Sequence, residues 1–399
     1  MNSELSPPIV RLRPKKSPKR FRHGDPWVFA NEVVLDRRTR AIPAGSVICL
    51  ADEKKVPFAL GTFNPQSKIV SRILSFDLSR SIDQAWFREK LQHADALRTR
   101  LFGDPYYRLV HAEGDSLPGL IIDRFGDVFV IQPNSAWADL HLEQITSALC
   151  DVFDPGAVLK NTSGRSRTLE GLPDDPTTLF GDAPTMVHVP MNGATYVADL
   201  KAGQKTGLFF DQRDNHAFAA RLAKSGTVLD VFSHVGGFGL AALIGGAKSA
   251  LCIDGSKAAI EFAAEGAALS GCADRFAAQQ GDAVTVMQDL YRGGRSFDTV
   301  VCDPPAFAPR KQALDAALRG YQRVALNAAK LVTPGGYLVL CSCSGAVSVE
   351  AFREANVVGI GRAGRNAQLL HTGGAAADHP AHPHLDESSY LKAIFFRLD

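Results

Sequence analysis

Phe297-Asp298-Thr299-Val300-Val301-Cys302-Asp303-Pro304-Pro305-Ala306-Phe307 is an apolar run that stops at a carboxylate and two prolines. Leu340-Cys341-Ser342-Cys343-Ser344-Gly345 is a second apolar run, and it ends in cysteine. As strands of one α/β sheet, the two would end at a common crevice. Asp303 and a thiol would then face the same ligand. The prolines stiffen their loop and remove two donors, so the carboxylate can face a flat base edge. A thiolate adding to carbon 6 of a pyrimidine makes carbon 5 nucleophilic enough to accept a methyl group. A free thiol titrates near about 8.5 and needs activation for this role. Cys343 lies nearer the strand end than Cys341 and is the preferred nucleophile. The two would share a face if the strand continued. The plain alternative is a small buried hydrophobe, which is the reading preferred for Cys341, Cys252, Cys272 and Cys302. Ala306 fills the slot after the prolines, with Phe307 next, which weighs against methylation of an exocyclic amine.

Val228-Leu229-Asp230-Val231 runs into Phe232-Ser233-His234-Val235-Gly236-Gly237-Phe238-Gly239. A strand, a glycine turn and a helix start make a nucleotide-type cradle. Glycines let the backbone approach the ligand, and the helix N-terminus favours a carboxylate or phosphate. Asp254 follows at the end of the next strand, placed for ribose hydroxyls. Gly281-Asp282 ends the third strand, within reach of an adenine amine. Acids at successive strand ends suit the positive sulfonium and ammonium of S-adenosylmethionine better than a dinucleotide. The alternative is that Asp254 and Asp282 only cap the helices that follow. Lys205-Thr206-Gly207-Leu208-Phe209-Phe210-Asp211-Gln212-Arg213 adds Phe209 to stack on adenine, and Lys205 or Arg213 to hold a phosphate or carboxylate. Otherwise the stretch is a linker.

Short apolar stretches broken by turns predict a small β-barrel between Ile9 and Phe76, with Trp27-Val28-Phe29 anchoring its core. A helix over 82–101, strands near 107–110, 119–123 and 128–132, and a helix over 139–153 form an α+β pattern. Residues 163–184 read as loops. After Leu200 the texture becomes βαβα, which predicts a doubly wound, mostly parallel sheet. The division expected is 8–76, 77–195 and 196–399.

A chain of 399 residues with 45% apolar content supports a sizeable core. Its net charge of +2 excludes a polycation. Arg11, Arg13, Lys15, Lys16, Lys19, Arg20 and Arg22 nevertheless crowd the start, a pattern that binds nucleic acid or forms a solvated terminus. Seven scattered cysteines without paired metal spacing predict a reducing compartment and no metal site. No apolar run is long enough to span a membrane. A cytoplasmic protein is expected.

The chain resembles the ribosomal large-subunit methyltransferase I family, the 23S rRNA cytosine-5 methyltransferases. The resemblance spans nearly the whole sequence. His23 to Phe29 resembles the family's PUA domain, an RNA-binding barrel. Arg108-Leu109-Val110 with Asp115 to Gly126 resembles its central α+β domain. Gln204 to Gly207, Asp211-Gln212-Arg213, Phe232 to Gly239, Asp303-Pro304-Pro305 and Ser342-Cys343-Ser344-Gly345 resemble its methyltransferase motifs. Asp378-His379-Pro380 and Tyr390-Leu391-Lys392 resemble its C-terminal end. The resemblance implies a Rossmann-like class I methyltransferase domain behind a PUA-like barrel and a central α+β domain. It implies S-adenosylmethionine as cofactor, with S-adenosylhomocysteine as product. Cys343 is then the nucleophile, and Asp303 binds the target base. The cofactor would be held by Lys205, Thr206, Phe209, Asp211, Gln212, Asp230, Phe232, Ser233, Gly236, Gly237, Phe238, Asp254, Ser256, Asp282, Ala283, Asp303, Pro304 and Pro305. Many RNA cytosine-5 methyltransferases carry a second cysteine where this chain has Ala306, and this family also lacks it. The partner expected is RNA, either 23S rRNA or a large-subunit precursor, with no membrane and with a homodimer left open. The rival readings are methylation of another base atom with Cys343 idle, and an RNA-binding assembly factor.

Overall fold

The alternation after Leu200 builds a seven-stranded sheet. Its strands are β1 (Thr227–Val231), β2 (Ser249–Asp254), β3 (Phe276–Gln280), β4 (Phe297–Cys302), β5 (Val332–Ser342), β6 (Ala367–Gly373) and β7 (Lys392–Leu398). The order across the sheet is β3-β2-β1-β4-β5-β7-β6. Neighbours from β3 to β5 run parallel, and β7 is antiparallel to both β5 and β6. The helices are α1 (Arg213–Leu222), α2 (Gly237–Ile244), α3 (Lys257–Leu269), α4 (Ala283–Arg292), α5 (Leu314–Ala329) and α6 (Val349–Arg362). The structure, a computed structural model, describes residues 7–201, 207–307 and 313–399.

Both faces of the sheet are covered, which is why its strands read as continuous apolar runs rather than alternating ones. Val300, Leu338 and Phe396 pack with Met287, Tyr321 and Phe352 on one face. Their chain neighbours Val301, Val339 and Phe395 pack with Phe238 and Ala219 on the other. Strand order reverses between β1 and β4, the place where open α/β sheets bind ligands beyond their strand ends. The glycine turn follows β1, and Asp303-Pro304-Pro305 follows β4.

The chain forms two compact units. One holds residues 7–185 with Asp378–Leu385, and the other holds 186–201, 207–307, 313–377 and 386–399. The first unit contains two five-stranded sheets. One is formed by Ile9–Arg11, Trp27–Phe29, Val47–Ala51, Pro57–Thr62 and Ile69–Ser75, around Val10, Val28, Ile48 and Val70. Trp27 is not the anchor of that core. Val28 is, while the Trp27 indole donates to Glu113 in the α+β part of the unit. The second sheet carries Tyr106–His111, Leu120–Phe125, Val128–Pro133, Ala157–Lys160 and Thr177–Gly181.

Residues 163–184 are not all loop, because they hold a helix at Arg165–Glu170 and the strand Thr177–Gly181. A buried Arg167 that bonds Pro133 O and Asp139 fixes the helix, a tertiary cause that local composition does not carry. The expected boundary at 195/196 falls inside a hairpin of Met186–Met191 and Ala194–Asp199, which belongs entirely to the second unit.

Candidate active site

Phe232 and His234, at the turn after β1, adopt φ of 61° and 49°. Such values are strained for bulky side chains and persist where surroundings impose them, often at ligand clamps. Ser233 between them donates its N–H to Ile253 O, and the His234 N–H donates to Asp254 Oδ2 at 2.9 Å. Gly236 has φ of 80°, and a Cβ on Gly237 would lie 2.7 Å from His216 Nε2. The turn therefore requires both glycines. Burial pushes the His216 imidazole down to about 3, so it packs as a neutral ring against Phe238.

Asp230 is fully buried on β1. Its Oδ2 accepts the Gly239 N–H at 2.8 Å, while Oδ1 has no hydrogen-bond partner among the described residues. Burial pushes the Asp230 carboxyl up to about 7, with repulsion from Asp303 and Asp254 adding to it. Three carboxylates thus converge where β1, β2 and β4 end. A ligand bearing a sulfonium and an ammonium offsets that repulsion, so these residues fit S-adenosylmethionine. Asp254 is half-buried and holds the N–H groups of His234 and Ser256, leaving lone pairs on both oxygens.

Asp282 caps α4, accepting from the Thr285 N–H and hydroxyl, and these bonds hold its carboxyl below the usual range. Ser256 caps α3, and Ala283 opens α4 as a buried residue. Phe209 meets the His234 ring edge-on at 4.8 Å between centroids. Asp211 accepts from the Tyr390 hydroxyl. Lys205 and Thr206 lie outside the described residues.

Gln212 Nε2 donates to Asp303 Oδ2 at 2.8 Å. Asn215, one helical turn on, donates to Gln212 Oε1 at 2.6 Å and to Gly374 O at 2.9 Å. Asn215 fixes which end of the Gln212 amide faces Asp303, and so fixes the carboxylate. The Asp303 N–H is held by Val231 O, which ties the Asp-Pro-Pro loop to the end of β1.

Strand β5 ends at Ser342, so Cys343 leaves the strand and does not share a face with Cys341. Cys341 is 1% exposed, and burial raises its thiol well above the usual range. Burial likewise raises Cys302 and Cys252. Cys343 is half-buried. Its turn is held by the Tyr321 hydroxyl, 2.7 Å from Ser342 Oγ and 2.9 Å from Ser344 Oγ, and by Lys392, which donates to Ser344 O and Val347 O. Cys302 pairs with Leu340 across β4 and β5, which puts Asp303 level with Cys341 and near the Cys343 turn. Sequence reasoning missed Tyr321, Asn215 and Lys392 as parts of this site. The i, i+3 spacing of Gln212 and Asn215 was the one local signal, since Tyr321 and Lys392 reach the site through sheet order.

The profile of an S-adenosylmethionine-dependent methyltransferase family matches residues 158–397, and that of a PUA-like domain matches 10–76. The protein named Ribosomal RNA large subunit methyltransferase I of Tolumonas auensis is 35% identical over 380 residues, covering 93% of this chain and 95% of its own. Its namesake from Klebsiella pneumoniae is 34% identical and covers both chains fully. Among solved structures, one from Streptococcus mutans described as a SAM-dependent methyltransferase superposes with a TM-score of 0.80 at 18% identity, covering 98% of this chain and 100% of its own. A further methyltransferase-type chain, complexed with S-adenosylhomocysteine, gives 0.81 at 19% identity over 98% and 99% of the two chains. With sheet order, glycine turn and converging acids in agreement with these likenesses, the chain belongs to the ribosomal RNA large subunit methyltransferase I family of S-adenosylmethionine-dependent methyltransferases.

Proposed function

We propose that this methyltransferase forms 5-methylcytosine in 23S rRNA, with Cys343 as the covalent nucleophile. The observation that carries the reading is the half-buried Cys343 in a held turn just past the end of β5, the strand next to the one that Asp303 follows, while the sheet's other cysteines are sealed in the core. The names of the relatives support large-subunit rRNA as the substrate class.

S-adenosylmethionine, when bound, supplies an electrophilic methyl group on sulfur. The Cys343 thiolate adds to carbon 6 of a cytosine flipped out of its stack, and the 5,6 double-bond electrons become available at carbon 5. Asp303, oriented by Gln212, accepts hydrogen bonds from the base edge and keeps carbon 5 in line with the methyl. Carbon 5 would take the methyl as its bond to the sulfonium sulfur breaks, leaving S-adenosylhomocysteine, and would then lose its proton to water. The returning electron pair restores the double bond and expels the Cys343 thiolate. Asp230, Asp254 and the Gly236-Gly237 turn position the cofactor. Lys205, Thr206, Phe209, Asp211, Asp282 and Ala283 are proposed to complete its site.

Nucleoside mass spectrometry tests this on unmodified large-subunit rRNA incubated with S-adenosylmethionine and either wild type or Cys343→Ala. New 5-methylcytosine from wild type alone is expected. An equal yield from both proteins, or a different methylated nucleoside, overturns the mechanism.

A further inference from the structure

Lys392 opens β7 directly opposite Ser342, the residue before Cys343. It is 3% exposed. A buried ammonium is costly unless a counter-charge or a full set of acceptors is near. The Lys392 ammonium donates to two neutral carbonyls, Ser344 O at 2.7 Å and Val347 O at 2.8 Å. Among the described residues, the group of opposite charge acting on it is the Cys343 thiolate. Burial pushes Lys392 down to about 8, and Cys343 acts in the opposite sense. The two carbonyls bracket the turn, since Ser344 follows the cysteine and the Val347 N–H returns to Ser344 O. On the other side, the neutral Tyr321 hydroxyl of α5 is engaged by Ser342 and Ser344. The carboxylate at the end of β4, Asp303, acts on Cys341. A cation is thus fixed beside the thiol by bonds that an uncharged side chain of the same length does not make.

We propose that Lys392 is a positioning residue for Cys343, a fixed counter-charge that stabilises its thiolate while holding the turn that presents it. The proposal rests on the reading of Cys343 as nucleophile. The thiol proton leaves to water, and Lys392 stays protonated and forms no covalent bond. Its help fades above about pH 8, where Lys392 itself loses its charge.

The test is iodoacetamide labelling of the full-length protein across pH, with rates for each cysteine peptide read by mass spectrometry. The thiolate displaces iodide, so the rate follows ionisation. In wild type the Cys343 midpoint is expected below the free-thiol value of about 8.5. Lys392→Met is expected to move it up by about one pH unit, a roughly tenfold slower reaction near pH 7. The half-buried Cys49 and Cys150 serve as internal references and stay unchanged. A turn that is merely loosened changes the high-pH plateau rate rather than the midpoint. Equal midpoints in the two proteins overturn the proposal. Should Lys392→Met unfold, shown by labelling of the buried Cys252, the wild-type midpoint decides alone, and a value at or above about 8.5 overturns it. Methyl transfer surviving in Cys343→Ala would remove the nucleophile reading while leaving the labelling result intact, so the two failures are distinguishable.

Discussion

Asp230 carries electrostatic stress at the site, a buried carboxyl pushed up to about 7 with one oxygen lacking a hydrogen-bond partner among the described residues. Its folded value lies above the unfolded one of about 3.9, so the folded state binds the extra proton between them. Its contribution to stability therefore declines as pH rises from about 4 to about 7. Asp230→Asn removes this cost. In urea titrations of cofactor-free protein near pH 8, the variant is expected to be more stable by up to about 4 kcal/mol, with the difference gone near pH 4. A gap of the same size at both pH values would show that Asp230 is not the titrating group. Gln212 makes the second prediction at this scale. Gln212→Leu removes a charge-assisted hydrogen bond to Asp303, a loss of about 1.5–3 kcal/mol. Methyl transfer is expected to fall by roughly 10- to 100-fold in kcat. Cofactor affinity, read by calorimetry, is expected to change less.

At the scale of elements, the site was legible wherever a strand ends in chemistry. Asp230, Asp254 and Asp303 each stand at or just past a strand end, and the buried runs that mark those strands are plain in the sequence. The role of Asp282 was less legible. A carboxylate at a strand-to-helix junction serves a cap and a ligand equally well, and its Thr285 bonds appear only in three dimensions. Residues that hold the cysteine turn were hidden for another reason. Tyr321 and Lys392 lie on α5 and β7, and only the insertion of β7 between β5 and β6 brings the lysine to Cys343. The helix at Arg165–Glu170 was hidden because its buried arginine finds partners far along the chain. The glycine turn supplies a test of its own. Gly236→Ala forces a side chain onto φ of 80°, a cost of about 1–2 kcal/mol. A weaker dissociation constant for S-adenosylmethionine by about tenfold is expected, with the circular dichroism spectrum unchanged. Unaltered affinity would place the cofactor away from this turn.

In the first unit, a buried acid joins the β-barrel to the α+β part, as Glu113 does through Trp27 and Arg72. Glu170 accepts from Arg72, Asn64 and Ser67 of the barrel. Burial raises its carboxyl, but Arg72 and these donors outweigh that and hold it below the usual range. Its stabilisation is therefore full above the unfolded value of about 4.3 and is lost as pH falls from there through the lower folded value. Glu170→Ala leaves Arg72 buried with a lost partner and is expected to destabilise this unit by about 3–5 kcal/mol. Limited proteolysis would detect this as faster cleavage within residues 7–185, and an unchanged rate would dismiss Glu170 as a joint. At the same scale, a phosphate-dominated grip by the basic start of the chain predicts RNA affinity that falls steeply with salt. A flat response in filter binding would remove that segment from the RNA footprint. Arg98, fully buried, gives one guanidinium nitrogen to Asp378 O, and the Arg108 N–H goes to Asp378 Oδ2. The first unit thus takes part of its interior from a segment synthesised some 190 residues after the rest of it. While the chain is still emerging from the ribosome, that interior holds an arginine one acceptor short, already paired with Asp115 and Arg108 O, and an amide awaiting its acceptor. Completion of the amino-terminal unit is consequently a late event in biogenesis, timed by translation of the carboxy-terminal stretch rather than by its own.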